Sequence, residues 1–140
     1  MTGMRDKKSR LFSLADIEGK TSPHQLQVKG ALRMRAAPLE YVKDVEAMAA
    51  FLGGSLERPG IGEEWAVGKE IFPGVSVCFV FNRSDDEFPA RLRALYSGDK
   101  IRMIKGDELA TITVSLANQL LRYVRESNPG VKLPEICYKV

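Results

Sequence analysis

The segment from Phe72 to Tyr96 reads FPGVSVCFVFNRSDDEFPARLRALY and contains two apolar runs separated by a polar turn. In the first run apolar side chains recur at every second position, which is the period that places alternate residues on opposite faces of a β-strand. One face would carry Val75, Val77, Phe79 and Phe81, and the other Ser76, Cys78 and Val80. The pattern predicts a central strand over residues 75–81, buried on one side and largely apolar on the other.

A second strand is expected directly after the turn. Phe88 and Pro89 follow the polar stretch 82–87, and residues 90–95 then alternate between apolar and charged side chains. We therefore predict a strand over residues 89–96 that pairs antiparallel with the first. Arg91 and Arg93 share its solvent-exposed face, and such a pair could bind a carboxylate or another anion. Exposed strand faces commonly carry such charges without any ligand.

Two helices are expected to cover this sheet. Pro38 suits a first helical turn, and apolar residues follow at helical spacing until Gly53 and Gly54, where a left-handed glycine can close the helix. This predicts a helix over residues 38–52. Residues 107–126 carry both a helical apolar stripe with Asp107 as N-cap and an alternating β-branched stretch at 110–116, and we favour the longer helical pattern. The fold class predicted is α+β.

The remaining segments carry weaker patterns. Residues 24–35 alternate as a strand or strand pair would, and residues 101–104 suit a short third strand. Residues 55–74 form a long connection rich in Gly, Pro and Glu, which marks it as a candidate functional loop. The last ten residues, from Val131, are expected to lie extended against the body.

The length and composition of the chain limit the classes of protein to which it can belong. A chain of 140 residues suits a single globular domain over residues 1–140, with residues 1–10 as a flexible basic arm. There is no run of about 20 apolar residues that would span a bilayer and no apolar signal region, so we expect a cytoplasmic protein. With Cys78, Cys137 and one histidine, His24, no zinc pattern is available, and no cofactor is expected.

The net charge of +3 is unevenly distributed. Residues 1–35 hold eight Lys/Arg against three Asp/Glu, whereas residues 36–74 hold three against seven. The basic end lacks the aromatic residues of a single-strand binder, and no recognition-helix motif is present. We therefore expect a protein or small-molecule partner and argue against nucleic acid.

Two further motifs suggest candidate site residues. Asp85, Asp86 and Glu87 form a carboxylate patch that lacks the spacing of a calcium loop, so a solvated turn is the plainer interpretation. Glu63, Glu64 and Trp65 follow a glycine pair that does not satisfy a phosphate-loop pattern. If both acidic segments converged, one pKa would be raised and a general acid or metal site would result, which gives a carboxylate-assisted hydrolase as a hypothesis.

The order of the motifs resembles an uncharacterised bacterial and archaeal domain family. The resemblance covers residues 51–125 and rests on Phe51-Leu52-Gly53-Gly54, Gly62-Glu63, Phe72-Pro73-Gly74-Val75, Asp85-Asp86-Glu87-Phe88-Pro89-Ala90 and Leu95-Tyr96. It implies a domain of anaerobes that is often appended to iron–sulfur modules, and a helical last segment. This chain has Glu63 where the family has Asp, Asp86 where it has Glu, and no cluster-binding cysteine set. The resemblance implies no activity.

A second likeness is to sterol-carrier-like domains, in which a strand such as ELATITVS runs into a helix and an apolar tunnel holds a lipid. The two likenesses disagree on residues 107–116, so helix or strand there separates them. The function that we favour is a binding or accessory module of anaerobic metabolism, with no enzymatic role required. Its candidate residues are Glu63, Glu64, Trp65, Asp85, Asp86, Glu87, Arg91 and Arg93.

Overall fold

A computed structural model describes residues 10–140, so the predicted basic arm lies, except for Arg10, outside the described residues. The α-helices are α1 (Leu14–Glu18), α2 (Pro23–Arg35), α3 (Val45–Leu52) and α4 (Gly106–Ser127). The strands are β1 (Ser55–Glu57), β2 (Trp65–Phe72), β3 (Val75–Asn82) and β4 (Arg91–Ser97), and short 3-10 helices span Ala37–Tyr41, Ile101–Met103 and Glu135–Tyr138. The predicted α+β class is confirmed.

The four strands form one antiparallel sheet in the order β1-β2-β3-β4. Strand β3 pairs on one side with β2 and on the other with β4, where Val77 lies opposite Tyr96. The prediction of a central strand with an antiparallel neighbour is therefore confirmed. Residues 75–81 are buried without exception, on both faces of the sheet.

The two faces of β3 enter different apolar clusters. Val75, Val77, Phe79 and Phe81 face the main core, which α2, α3 and α4 supply with residues such as Leu120. On the opposite face, Cys78 and Val80 form a smaller cluster with Ala66, against which Leu11 and Leu95 pack. The helices thus cover one face, as the alternation in β3 predicts. Among residues 10–140 no helix is both long and apolar enough to cross a membrane.

The helix predicted over residues 38–52 is interrupted. A 3-10 helix at Ala37–Tyr41 is followed by an extended residue, and α3 begins only at Val45 because the Asp44 side chain caps it by accepting a bond from the Ala47 N–H at 3.0 Å. Asp44 has extended backbone geometry, so one continuous helix cannot pass through it. The predicted end of the helix is confirmed, since Gly53 adopts the left-handed conformation.

The strand predicted over residues 24–35 is wrong, because this segment is the helix α2. The Ser22 hydroxyl accepts bonds from the His24 and Gln25 N–H groups at 3.2 and 3.3 Å, and Pro23 occupies the first turn. The buried residues Val28 and Leu32 are four apart, which is a helical spacing. The alternation of apolar residues was a coincidence, since Leu26 and Met34 are exposed.

Three other segment predictions need correction. Residues 55–74 are not one long loop, since they contain all of β1 and β2, which pair with each other and extend the sheet. Residues 101–104 hold a 3-10 helix in place of a third strand. The tail contains the 3-10 helix Glu135–Tyr138, held to α4 because Arg125 Nη1 donates to the carbonyls of Cys137 and Val140 at 3.0 and 3.2 Å.

The predicted helix over residues 107–126 is confirmed as α4, but Asp107 lies in its first turn and Lys105 occupies the N-cap without a side-chain bond. Glu18, at the end of α1, accepts a bond from the Gly106 N–H. The Ser22 hydroxyl and His24 Nδ1 also bond to Glu18 at 2.7 and 2.9 Å, and these partners lower the pKa of its carboxyl. The single histidine therefore helps to orient the group that caps α4.

Candidate functional site

A groove of about 1060 Å³ follows the outer edge of β4. Helix α2 forms one wall, and two loops, at 60–64 and 83–90, form one end. Because Leu92 and Arg93 both line the groove and point to opposite faces of the sheet, the groove wraps around the edge of the strand. We call it the β4 groove.

The loop at 60–64 is organised by the Glu63 carboxylate. Its oxygens accept bonds from the Ile61 and Gly60 N–H groups at 2.8 and 3.3 Å, and Asn82 Nδ2 donates to the Gly62 carbonyl at 2.9 Å. Burial raises the pKa of Glu63, but the backbone donors and the nearby Arg93 outweigh it, and the net pKa is lowered. Glu63 is therefore an ionised group committed to its own loop.

The loop at 83–90 is fixed by a second set of carboxylates. Asp85 Oδ1 accepts bonds from the Glu87 and Phe88 N–H groups, both at 2.8 Å, which lower its pKa. The Ser84 N–H and hydroxyl both donate to Glu40, at 2.9 and 2.6 Å, and tie the loop to the helical layer. Each of these anions already has donors within the protein.

Five cations line the β4 groove, and four of them, Lys29, Arg33, Arg91 and Arg93, are not held by another side chain. Within residues 10–140 none of these four side chains forms a hydrogen bond or an ion pair. The other lining arginine, Arg83, differs because its Nε donates to Glu64 at 2.9 Å. The groove therefore presents positive charge that is not tied up in direct ion pairs, although the Glu63 carboxylate lies near enough to Arg93 to act on its pKa.

Arg93 is the most constrained of these cations. Its Nε atom is buried and has no hydrogen-bond partner among the described residues, although the residue as a whole is partly exposed. Burial lowers the pKa of its guanidinium, and the neighbouring Arg91 adds to this, while Glu63 opposes both. A buried donor without an acceptor costs roughly 1–3 kcal/mol, so a ligand oxygen that reached it would relieve this cost.

The structure brings five of the eight sequence-predicted residues to the groove: Glu63, Glu64, Asp85, Arg91 and Arg93. Trp65 lies instead in the core, stacked on Phe81 with 4.9 Å between ring centroids. Asp86 and Glu87 are exposed and do not line the groove. A role of these residues in binding stays a prediction.

The convergence that a carboxylate-assisted hydrolase requires is absent from the described part of the chain. Among residues 10–140 no three acidic, histidine or cysteine side chains are grouped so that they could hold a metal ion. The pKa values of Glu63 and Asp85 are lowered, where the hypothesis required one raised carboxyl. At Glu63 burial raises the pKa, but the backbone donors and Arg93 together outweigh it, and at Asp85 the backbone donors are the largest cause.

Sequence reasoning missed the α2 side of the groove. Lys29 and Arg33 were not candidates because the segment was interpreted as a strand, although Ser22 followed by Pro23 is a recognisable helix start. It also missed two apolar side chains that line the groove, Phe88 and Ile61, which are 67% and 45% exposed. Large exposed apolar groups in a concave site suggest contact with a partner.

The comparisons with known proteins bear on the two resemblances. No curated protein and no solved structure matches the chain. A sterol-carrier-like domain requires a strand at residues 107–116, but these residues are helical and belong to α4. That likeness is therefore wrong at the segment that separates the two resemblances. Residues 10–119 match a family described as a domain of unknown function, DUF3786, which agrees with an uncharacterised domain. The chain therefore belongs to the DUF3786 family.

Proposed function

We propose that this chain is a non-enzymatic binding module and that the β4 groove receives an anionic partner, either a protein segment or a small molecule. The observation that carries the proposal is the set of four groove cations, Lys29, Arg33, Arg91 and Arg93, whose side chains form no ion pair or hydrogen bond within residues 10–140. Arginine is suited to this role because its planar fork matches a carboxylate or phosphate.

The acidic residues around the groove do not cancel this charge. Glu63 is held by backbone donors of its own loop, Glu64 by Arg83, and Asp85 by the N–H groups that follow it. A group whose oxygens are already bonded gains little by releasing those donors to bind an arginine. Positive potential in a concave site with apolar walls raises the local concentration of anions.

A plainer explanation is that Arg91 and Arg93 protect an edge strand from pairing with other proteins. This explanation accounts for charges on β4 but not for Lys29 and Arg33, which lie on α2 and line the same groove. It also leaves the buried Nε of Arg93 without a reason, because a protective charge is best exposed. Both facts favour a binding role.

The proposal is tested by titrating ¹⁵N-labelled protein with inorganic phosphate, citrate and poly-glutamate and following amide shifts. We expect saturable shifts at Lys29, Arg33 and residues 91–95 with at least one of these probes, and their loss in the double variant Arg91→Gln/Arg93→Gln. The matched control is Arg122→Gln, on α4 and outside the groove, which is expected to bind as the parent does. Shifts that occur elsewhere, or none with any probe, would contradict the proposal.

The biological setting is also a proposal. The motif order supports a role in anaerobic metabolism beside iron–sulfur proteins, in the cytoplasm, and this support comes from the resemblance of the motifs alone. If it is correct, genes for members of the family will lie next to genes for iron–sulfur proteins far more often than chance predicts. A neighbourhood without such genes would remove this part of the proposal and leave the groove unaffected.

A further inference from the structure

We propose that the occupant of the β4 groove is an extended acidic peptide that pairs antiparallel with the outer edge of β4 and adds a fifth strand to the sheet. This inference rests on the proposed function, and it names the partner class and the mode of contact. Addition of a strand uses backbone hydrogen bonds for affinity, while alternate side chains give specificity.

The outer edge of β4 already accepts a strand at one position. The Phe12 N–H donates to the Tyr96 carbonyl, and the Tyr96 N–H donates to the Phe12 carbonyl, both at 2.7 Å. In an antiparallel sheet the N–H and C=O groups of one residue point to the same side of its strand, and those of the next residue point to the other side. Because the N–H and C=O groups of Tyr96 both bond to Phe12, they point to the outer edge and away from β3. Leu92 and Ala94 therefore direct their N–H and C=O groups outward as Tyr96 does.

The pairing stops after Phe12 because the chain turns into α1. The Ser13 hydroxyl accepts a bond from the Asp16 N–H at 3.1 Å, and the Asp16 carboxylate accepts one from the Ser13 N–H at 2.9 Å, which together cap the helix. Within residues 10–140 nothing else pairs with this edge, so the outward groups of Leu92 and Ala94 face the groove. Backbone groups of this kind form a template for a further strand.

The charges around the edge determine the chemistry of the added strand. Successive side chains of a strand in this position would point to opposite faces of the sheet. On one face they would lie beside Arg91 and Arg93, and on the other beside Lys29 and Arg33 of α2. Acidic residues therefore fit on both faces, and a carboxylate beside Arg93 would supply the acceptor that its buried Nε lacks.

The same charges argue against a second copy of this chain as the occupant. Antiparallel pairing of two β4 edges would bring the Arg91 and Arg93 side chains of both copies onto shared faces of one ladder. Like charges opposite each other in a sheet are destabilising. An acidic peptide replaces this repulsion with attraction.

The experiment uses a fluorescent, end-capped peptide of six residues with the sequence Glu-Val-Glu-Val-Glu-Val, followed by anisotropy. A derivative carries N-methyl groups on all six residues, so that it has no N–H group to offer β4, whichever face of the sheet receives its Glu side chains. We expect it to bind about tenfold more weakly or worse than the unmethylated peptide, since the backbone N–H groups of an added strand bond to the edge. Arg93→Gln is expected to weaken binding by roughly tenfold, and Arg122→Gln to leave it unchanged.

A second readout is hydrogen exchange of the protein amides. The Leu92 and Ala94 N–H groups are expected to become protected when the peptide is bound, while amides of α4 do not change. If the methylated peptide binds as tightly as the unmethylated one, or these two amides stay unprotected, strand addition is wrong although the groove still binds anions. If the peptide fails to bind while citrate or phosphate does, the peptide class is wrong. If no probe binds, the proposed function falls as well.

Discussion

The two ends of β4 differ in how completely their polar groups are satisfied. At the Tyr96 end, the phenol is fully buried and its hydroxyl donates to Thr113 Oγ1 at 2.7 Å, which in turn donates to the Leu109 carbonyl at 2.7 Å. At the other end, Arg93 holds a buried Nε with no partner among the described residues. We call the Tyr96 end of this seven-residue strand, where the buried polar groups are hydrogen-bonded, the closed end, and the Arg93 end, where one is not, the open end.

The difference shows where this protein concentrates its stability. A buried network in which every polar group is hydrogen-bonded fixes one packing arrangement. A buried donor without an acceptor lowers the stability of the fold, and such donors are kept where another benefit compensates for the loss. At the closed end β4 is joined to α4 and to Phe12, and at the open end it borders the β4 groove. We therefore expect substitutions at Tyr96 and Gly98 to affect folding, and substitutions at Arg93 to affect binding.

The largest expected effect is that of removing the aromatic ring from the closed end. Tyr96→Ala is expected to lower the free energy of unfolding by roughly 3–5 kcal/mol, because it leaves a cavity in the core and removes the bond to Thr113. Phe88→Ala is the matched truncation at the groove, where the ring is 67% exposed, and should cost less than about 0.5 kcal/mol. Urea denaturation measures both, and similar losses would contradict the contrast between the ends.

The next effect is expected at two glycines, one beside each end of β4. Gly98 has φ +117°, and a Cβ there would meet the Gly74 carbonyl oxygen, so Gly98→Ala should cost roughly 2–4 kcal/mol. Gly62, at the groove, has φ +87° and open space around it, so Gly62→Ala should cost only the backbone strain of roughly 1–2 kcal/mol. Thermal unfolding of the pair tests this, and equal costs would remove the steric argument.

The third effect concerns pH. Burial raises the pKa of Tyr96 from an ordinary 10.0 to about 12, against the opposing effect of the Thr113 bond. The folded state therefore holds this proton more tightly, so its contribution is complete below pH 10.0 and is lost as pH rises towards about 12. The expected loss is of order 2 kcal/mol.

Tyr96→Phe provides the control for this pH dependence. It should remove the alkaline loss at a cost of about 1 kcal/mol at neutral pH. At the groove the sign is opposite, because the lowered pKa of Glu63 gives stability that is present above pH 4.5 and lost as pH falls below it. Unfolding measured from about pH 2 to pH 12 should show the acid loss in both proteins and the alkaline loss in the parent alone, and an unchanged alkaline loss in Tyr96→Phe would contradict the assignment.

The smallest effect is expected at the open end and has the opposite direction. Arg93→Met keeps an aliphatic stem of similar length and removes a desolvated donor, so stability should stay unchanged or rise by up to about 1 kcal/mol. Arg35→Met is the matched variant, since Arg35 donates to Asn118 and the Ala31 carbonyl at 2.8 and 2.9 Å, and should lose about 1 kcal/mol. If Arg93→Met is the more damaging of the two, Arg93 has a structural role.

Much of the fold is predictable from local patterns. The alternation in residues 75–81 and 90–95 identifies β3 and its edge neighbour β4, because alternate residues of a strand face opposite sides of the sheet. Strands β1 and β2 were missed because Gly68 and the surrounding Gly and Pro residues resemble a loop. Gly68 instead leaves space for the Glu57 carboxylate of the neighbouring strand. That contact lies between two strands and is invisible in the local sequence.

The site is less predictable than the fold. Arg91 and Arg93 could be selected because they share a strand face, but Lys29 and Arg33 reach the groove only through the packing of α2 beside β4. Likewise, the sequence contains Glu63 and Asp85 as candidate acids, yet it does not reveal that backbone N–H groups would occupy both. Contacts between segments distant in sequence determine which charges remain available.

The first turns of α4 contain Thr111, Ile112, Thr113 and Val114 in succession. Four β-branched residues in a row disfavour a helix, so this segment has little tendency to coil when it is separated from its neighbours. Its shape is therefore imposed by docking, through Tyr96 on one side and the Glu18 cap on the other. We therefore expect this stretch of α4 to become helical as the core assembles around it, in the same cooperative step.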